Sequence, residues 1–457
     1  MSDSLARIKR YAKKVLKKGE VKNQEPPIQI LLLTNRDSDN IGDQVIEASD
    51  IGLISAVMKN LGIANYKIES RAAAIVTQKY LSTKDENLLK LPRKVIKKAD
   101  LVVFGGAPMF NFLYQNFYER TAVTLEIAQE FHKPVIFSAI GVEGYSDKNK
   151  KCQRLKQTLH NGCVKQITTR DDFESLRKYT DQGEIPIDKV SDPAVFCADV
   201  FKYPRTNNGE KKKVGVFVLR SNGFVDNKFN FTREDAANLW KELAKELEQR
   251  GYDYEFITSG HFGDEAFLEH IIDNYNIDAS KCVFNMNTPE QLLKKISSYD
   301  AVVSCRLHPS IIAFSANVPS VGLVWNNKVK TFYESIGYAD RVLEVEQISA
   351  GNVADKVDAA IAQGIEKDKE YLITVYQTMF SAIKDVFAPD SMKEAYTYDE
   401  LVANIPQFKG TSKNEKDEKL KRKFRRTYKK YNEMFEKNLA FKEEICELKM
   451  QLEELKK

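Results

Sequence analysis

The sequence predicts an α/β protein of two doubly wound domains facing a cleft, followed by a helical tail, and three observations carry that expectation. Short apolar, β-branched runs alternate with helical patterns twice over, first from Ile28 and again from Val214. Nearly every glycine or polar cluster falls just after one of the strand runs, the edge of a parallel sheet where ligands bind. From about Lys413 the chain becomes rich in Lys and Glu and takes up a seven-residue apolar repeat.

With 457 residues the chain has room for two or three domains and a sizeable core. Seventy Lys/Arg against 65 Asp/Glu leave a net charge of +5, too modest to argue for a nucleic-acid partner. No apolar run approaches the roughly 18–20 residues needed to cross a bilayer, and no signal-peptide core follows the first basic residues. A cytoplasmic protein is expected, peripheral at the inner face of the membrane if it touches lipid at all. Six scattered cysteines without a CxxC pair favour reduced thiols, with Cys305 most simply a small buried hydrophobe. The five histidines show no ligand spacing, so no metal is expected.

In chain order, residues 1–22 hold a basic amphipathic helix, with Leu5, Ile8, Ala12 and Val15 on one stripe among lysines and arginines. Residues 4–18 of it are suited to an anionic membrane surface. The first Rossmann-like domain spans 28–202. Strand Ile28–Thr34 leads through the polar loop Asn35–Asp43 to a helix from about Gln44 to Leu61. Strand Asp100–Phe104 ends in Gly105-Gly106, strand Pro134–Ser138 leads to Gly141, and strand Lys165–Thr168 ends at Arg170-Asp171. Residues 203–213 are polar and turn-rich, a hinge. The second domain, 214–345, repeats the alternation, with His261 after one of its strands. Helices fill 346–405, and 413–457 is a coiled-coil tail. Its seam runs Phe424, Thr427, Tyr431, Met434, Asn438, Phe441, Ile445, Leu448, Leu452 and Leu455, with Asn438 a register-setting polar position, and it predicts self-association.

The densest chemistry lies between Ser298 and Lys328. Strand Ala301–Val303 delivers Arg306 and His308 at its carboxyl end, and strand Ser320–Val324 delivers Trp325, Asn326 and Lys328. A guanidinium is a fixed fork for phosphate or carboxylate, and an imidazole titrates near neutrality, so the pair can hold an anion and move a proton. The plainer reading has Arg306 paired with a structural carboxylate and His308 capping a helix.

Several pieces resemble, in order, the polysaccharide pyruvyl transferase family over roughly residues 28–345. They are Asn40-Ile41-Gly42-Asp43, Phe104-Gly105-Gly106 (with Ala107 where the family has a third glycine), Thr169-Arg170-Asp171 with Ser175, Asp192-Pro193-Ala194, and Arg306-Leu307-His308 with Ala313, Pro319 and Lys328. The resemblance implies a glycosyltransferase-B-like fold and a transferase without cofactor. It implies transfer of pyruvate from phosphoenolpyruvate to two hydroxyls of a sugar, giving a ketal and phosphate in cell-surface polysaccharide synthesis. The acceptor would be a glycan or lipid-linked oligosaccharide of a capsule, exopolysaccharide or cell wall. It casts His308 as general acid, Arg306 as its catalytic neighbour and Asp43 as base, with capping of the following helix an equal alternative for Asp43. Arg170, Arg306, Lys328 and Asn326 would hold the donor. Asn40, Gly105, Gly106, Gly141 and Trp325 would face the acceptor, the alternatives being tight turns for the glycines and core burial for Trp325. Two rivals remain: a nucleotide-sugar glycosyltransferase on the same fold, and a non-catalytic scaffold of a glycan assembly complex.

Overall fold

The computed structural model describes residues 26–112, 116–181, 183, 185–206, 211–219, 224 and 229–455. The basic helix expected over residues 4–18, part of the expected hinge (207–210) and residues 220–223 lie outside the described residues.

Two six-stranded, wholly parallel sheets form the body. The first contains β1 (Ile28–Thr34), β2 (Tyr66–Ala72), β3 (Leu101–Gly105), β4 (Val135–Ile140), β5 (Val164–Thr169) and β6 (Ile187–Lys189), in the order β2-β1-β3-β4-β5-β6. The second contains β7 (Lys213–Phe217), β8 (Asp253–Ile257), β9 (Cys282–Val283), β10 (Ala301–Ser304), β11 (Ser320–Leu323) and β12 (Val342–Leu343), in the order β12-β11-β10-β7-β8-β9. Strand order reverses between β1 and β3 in one sheet and between β7 and β10 in the other, so each half has a crevice at its switch point. The central strands are the apolar runs read from the sequence. Strand β2 is polar and only partly buried, and β6, β9 and β12 are edge pieces of two or three residues, so none carries a buried-strand signature.

The helices that shape the site are α1 (Ile41–Leu61), α2 (Phe262–Tyr275), α3 (Pro289–Ile296), α4 (Leu307–Ser315) and α5 (Asn327–Ser335). Three more follow: α6 (Ala350–Gln363), α7 (Thr374–Phe387) and α8 (Lys413–Leu455). One apolar core lies on the outer face of each sheet, and a third spans both halves, joining Val45, Ile46 and Leu53 of α1 to Leu292 of α3 and Ile311 and Ile312 of α4. The halves therefore meet through packed side chains, and the cleft between them is largely closed. After α6 packs on the second sheet the chain crosses back, and α7 buries Tyr376, Met379 and Ile383 against the first half. Tyr376 Oη accepts from Asn60 Nδ2 at 3.0 Å, and Ser191 Oγ donates to the Leu372 carbonyl at 2.7 Å.

Candidate active site

The site is assembled where the loop after β1 meets the loop after β10. Helix α1 starts at Ile41, three residues earlier than expected from the sequence, with Asn40 as its N-cap, and Asp43 lies in the first turn instead of capping it. Asn40 Oδ1 accepts from the Gly42 N–H (3.2 Å), which turns Nδ2 towards His308 Nδ1 at 3.1 Å. An amide nitrogen only donates, so Nδ1 is the acceptor and the ring proton sits on Nε2. That nitrogen is buried and has no hydrogen-bond partner among the described residues. Gly42 permits the approach, because a Cβ there would lie 2.3 Å from the His308 ring.

Burial, then the fields of Arg170, Lys328 and Arg306, push the His308 imidazole down to about 3. This corrects the expectation of a ring titrating near neutrality: at physiological pH His308 is a neutral donor through Nε2. Asp43 moves the other way. Burial pushes its carboxyl up to about 6, against the opposing pull of Ser38, Arg170, Asn35 and Lys328. Asn35 Nδ2 donates to Asp43 Oδ2 at 3.1 Å. Asn40, Asp43 and Arg170 from the first half thus share one electrostatic neighbourhood with His308 and Lys328 from the second.

Each cation named from the sequence meets a carboxylate. Arg170, just past β5 and nearly buried, pairs through Nη1 with Asp192, and its Nε has no hydrogen-bond partner among the described residues. Lys328 pairs across the interface with Glu143. Asn326 is the N-cap of α5, its Oδ1 accepting from the Lys328 N–H at 3.1 Å. Arg306 turns its fork away from the others, donating from Nε and Nη2 to Asp264 at 2.9 and 2.8 Å. It therefore clamps the start of α2, and its charge reaches His308 only through space. This is the plainer of the two readings of Arg306. A small, partly open pocket of about 20 Å³ is lined by Arg170, Ser191, Asp192, Leu307, Lys328 and Tyr371, among others.

The residues expected to face an acceptor are arranged otherwise. A Cβ on Gly105 would lie 2.2 Å from Asp50 Oδ2, and one on Gly106 2.1 Å from Ile46, so the glycine pair makes room for α1. At Gly141 a Cβ would lie 2.9 Å from Pro108 Cα, so the missing side chain admits the loop after β3. Trp325 packs between two of the cores, donates its indole N–H to the Cys305 carbonyl, and has Arg306 5.8 Å from its ring centre. His261 caps α2, its Nδ1 accepting from the Gly263 N–H at 3.2 Å. Sequence reasoning missed the partner carboxylates Glu143 and Asp264, whose only signal was a position shortly after a strand run, and it named Asp192 in a motif without its pairing to Arg170.

Two doubly wound parallel-sheet halves packed on each other have the architecture of the glycosyltransferase-B type. A protein described as a UDP-N-acetylglucosamine 2-epimerase from Listeria monocytogenes shares this fold, with TM-score 0.52 and 12% identity over 81% of this chain and 99% of that one. Weaker likenesses reach the UDP-GlcNAc 2-epimerase of Methanocaldococcus jannaschii (TM-score 0.46, 12% identity, 79% and 99% covered) and the ADP-heptose heptosyltransferase II of E. coli (TM-score 0.39, 15% identity, 74% and 99% covered). Among curated proteins none matches in sequence. The profile of the polysaccharide pyruvyl transferase family matches residues 40–327, and the chain belongs to that family.

Proposed function

We propose that this transferase moves pyruvate from phosphoenolpyruvate onto two hydroxyls of a glycan sugar, forming a cyclic ketal and releasing phosphate. The observation that carries the reading is the convergence of Arg170, Lys328, His308 and Asp43 from two sheets into one electrostatic neighbourhood, with Arg170 and Lys328 lining a small pocket there. The donor carries a phosphate and a carboxylate, and Arg170 and Lys328 are the cations that line the cavity. Their present partners, Asp192 and Glu143, hold them in place and would share them with the incoming anion. A polyanion between them offsets the fields that hold the His308 ring down, raising its affinity for a proton.

In the reaction the donor methylene gains one proton and becomes methyl, and the first sugar hydroxyl adds to the adjacent carbon. Phosphate then leaves with the C–O bonding pair, and the second hydroxyl closes the ring. Two hydroxyl protons are released; one balances that taken by the methylene and the other leaves on phosphate. In this scheme His308, protonated once the bound anion has offset those fields, delivers the first from Nε2 and returns to the neutral ring, and Asp43, ionised above about pH 6, accepts from a hydroxyl. The test is phosphate release from phosphoenolpyruvate, coupled to a gain of one pyruvyl ketal in the mass of lipid-linked oligosaccharides. His308→Asn should lower turnover at least ~10²-fold. Phosphate release without a glycan product, or turnover unchanged in that variant, overturns the assignment; consumption of a nucleotide sugar instead would favour the glycosyltransferase.

A further inference from the structure

Helix α8 runs without a break for 43 residues, and its two ends have different surroundings. Its first five turns lie on the body and touch both halves. Lys419 Nζ donates to Gln44 Oε1 (2.9 Å), and Arg422 and Arg426 pair with Asp37 and Asp39 at 3.4 and 3.3 Å on the loop after β1. Lys423 pairs with Glu265 of α2 at 2.9 Å, and Lys430 lies 5.8 Å from the Phe262 ring centre. Beyond Tyr431 every described residue is exposed, including Ile445 (51%), Leu448 (56%) and Leu452 (52%). A solitary helix has no reason to carry such a stripe into water.

We propose that residues 431–455 form a parallel, in-register, two-stranded coiled coil with a second copy of this chain. The stripe keeps an unbroken alternation of three and four residues: Tyr431, Asn438, Ile445 and Leu452 occupy one core position, and Met434, Phe441, Leu448 and Leu455 the other. Asn438 selects the orientation. In a parallel pair it meets its own copy, whereas full antiparallel overlap of 431–455 sets it against Leu448 twice, burying an unpartnered amide each time. Flanking charges fix the register near the end of the rod, where Glu444 faces Lys449 of the other copy. Lys437 and Lys442 oppose each other one heptad earlier, so pairing is firmest towards Leu455. Because α8 is pinned to the body at Lys419, Lys423 and Arg426, the two bodies sit together at one end of the rod.

Light scattering on the full chain after size exclusion should give twice the chain mass. Ile445→Asp with Leu448→Asp should give a monomer whose thermal unfolding matches the parent, since neither side chain touches the body. Leu448→Cys in a Cys446→Ser background should form an inter-chain disulfide on mild oxidation, because only the parallel register sets residue 448 against itself. A monomeric or trimeric parent, a dimer that survives the double substitution, or a dimer lacking that disulfide overturns the proposal.

Discussion

Replacing Asp43 by Asn tests the electrostatics of the site through folding alone. The carboxyl sits at about 6 in the folded protein against an ordinary value of 3.8, a gap of about 2 units worth about 3 kcal/mol. Because the folded value is raised, the native state holds the proton where the unfolded chain has released it, so stability falls as pH rises from about 4 through about 6. Roughly half of that loss has developed at pH 5 and all of it by pH 8. Asn carries no such penalty but forfeits the carboxylate's bond from Asn35, about 1 kcal/mol. The variant should therefore unfold at higher denaturant than the parent at pH 8, by about 2 kcal/mol, and the gap should shrink by about 1–1.5 kcal/mol at pH 5. Urea midpoints of both proteins across that interval give the comparison. A gap that stays constant from pH 5 to pH 8 would refute the reasoning, because no group with a displaced carboxyl would then have been removed.

Gly42→Ala should destabilise by about 1–3 kcal/mol and displace His308, against the helix preference for alanine, since the new methyl has the ring at 2.3 Å; unfolding midpoints and turnover should fall together. Asp50 is fully buried, neither oxygen has a hydrogen-bond partner among the described residues, and burial raises its carboxyl well above the usual range. Asp50→Asn should accordingly match the parent near pH 4 and exceed it increasingly as pH rises, and a thermal-shift series that stays flat with pH contradicts a neutral Asp50. Arg306→Lys keeps the charge but loses the fork onto Asp264, so stability should drop by about 1–3 kcal/mol, and a melting temperature equal to the parent's would show that the clamp is idle.

What could be read from the chain alone followed from local physics. The buried strands β1, β3, β10 and β11 are short apolar runs, and α4 is an apolar stretch beside them, so Arg306, His308 and Lys328 could be placed at strand ends before any coordinates. The sequence could not say which way each side chain turns there. Arg306 chooses Asp264, 42 residues away, and Lys328 chooses Glu143, 185 residues away, and neither separation leaves a periodic trace. Likewise the lowered His308 ring depends first on burial and then on Arg170, Lys328 and Arg306, which are distant in sequence or differently placed, and the glycines after β3 answer to side chains of α1. The start of α1 differs from the expectation because Ile41 and Gly42 are poor helix signals, and the Asn40 cap that fixes the boundary reads locally as loop.

The return of α7 has a bearing on synthesis. The amino half leaves the ribosome with a bare apolar groove, because Val375, Tyr376, Met379 and Ile383, which fill it, are made some 200 residues after its own sheet. That half must wait, partly assembled, until the carboxyl half has been translated. A nascent chain stopped before residue 374 should accordingly be a client for chaperones, and full-length release should end that dependence.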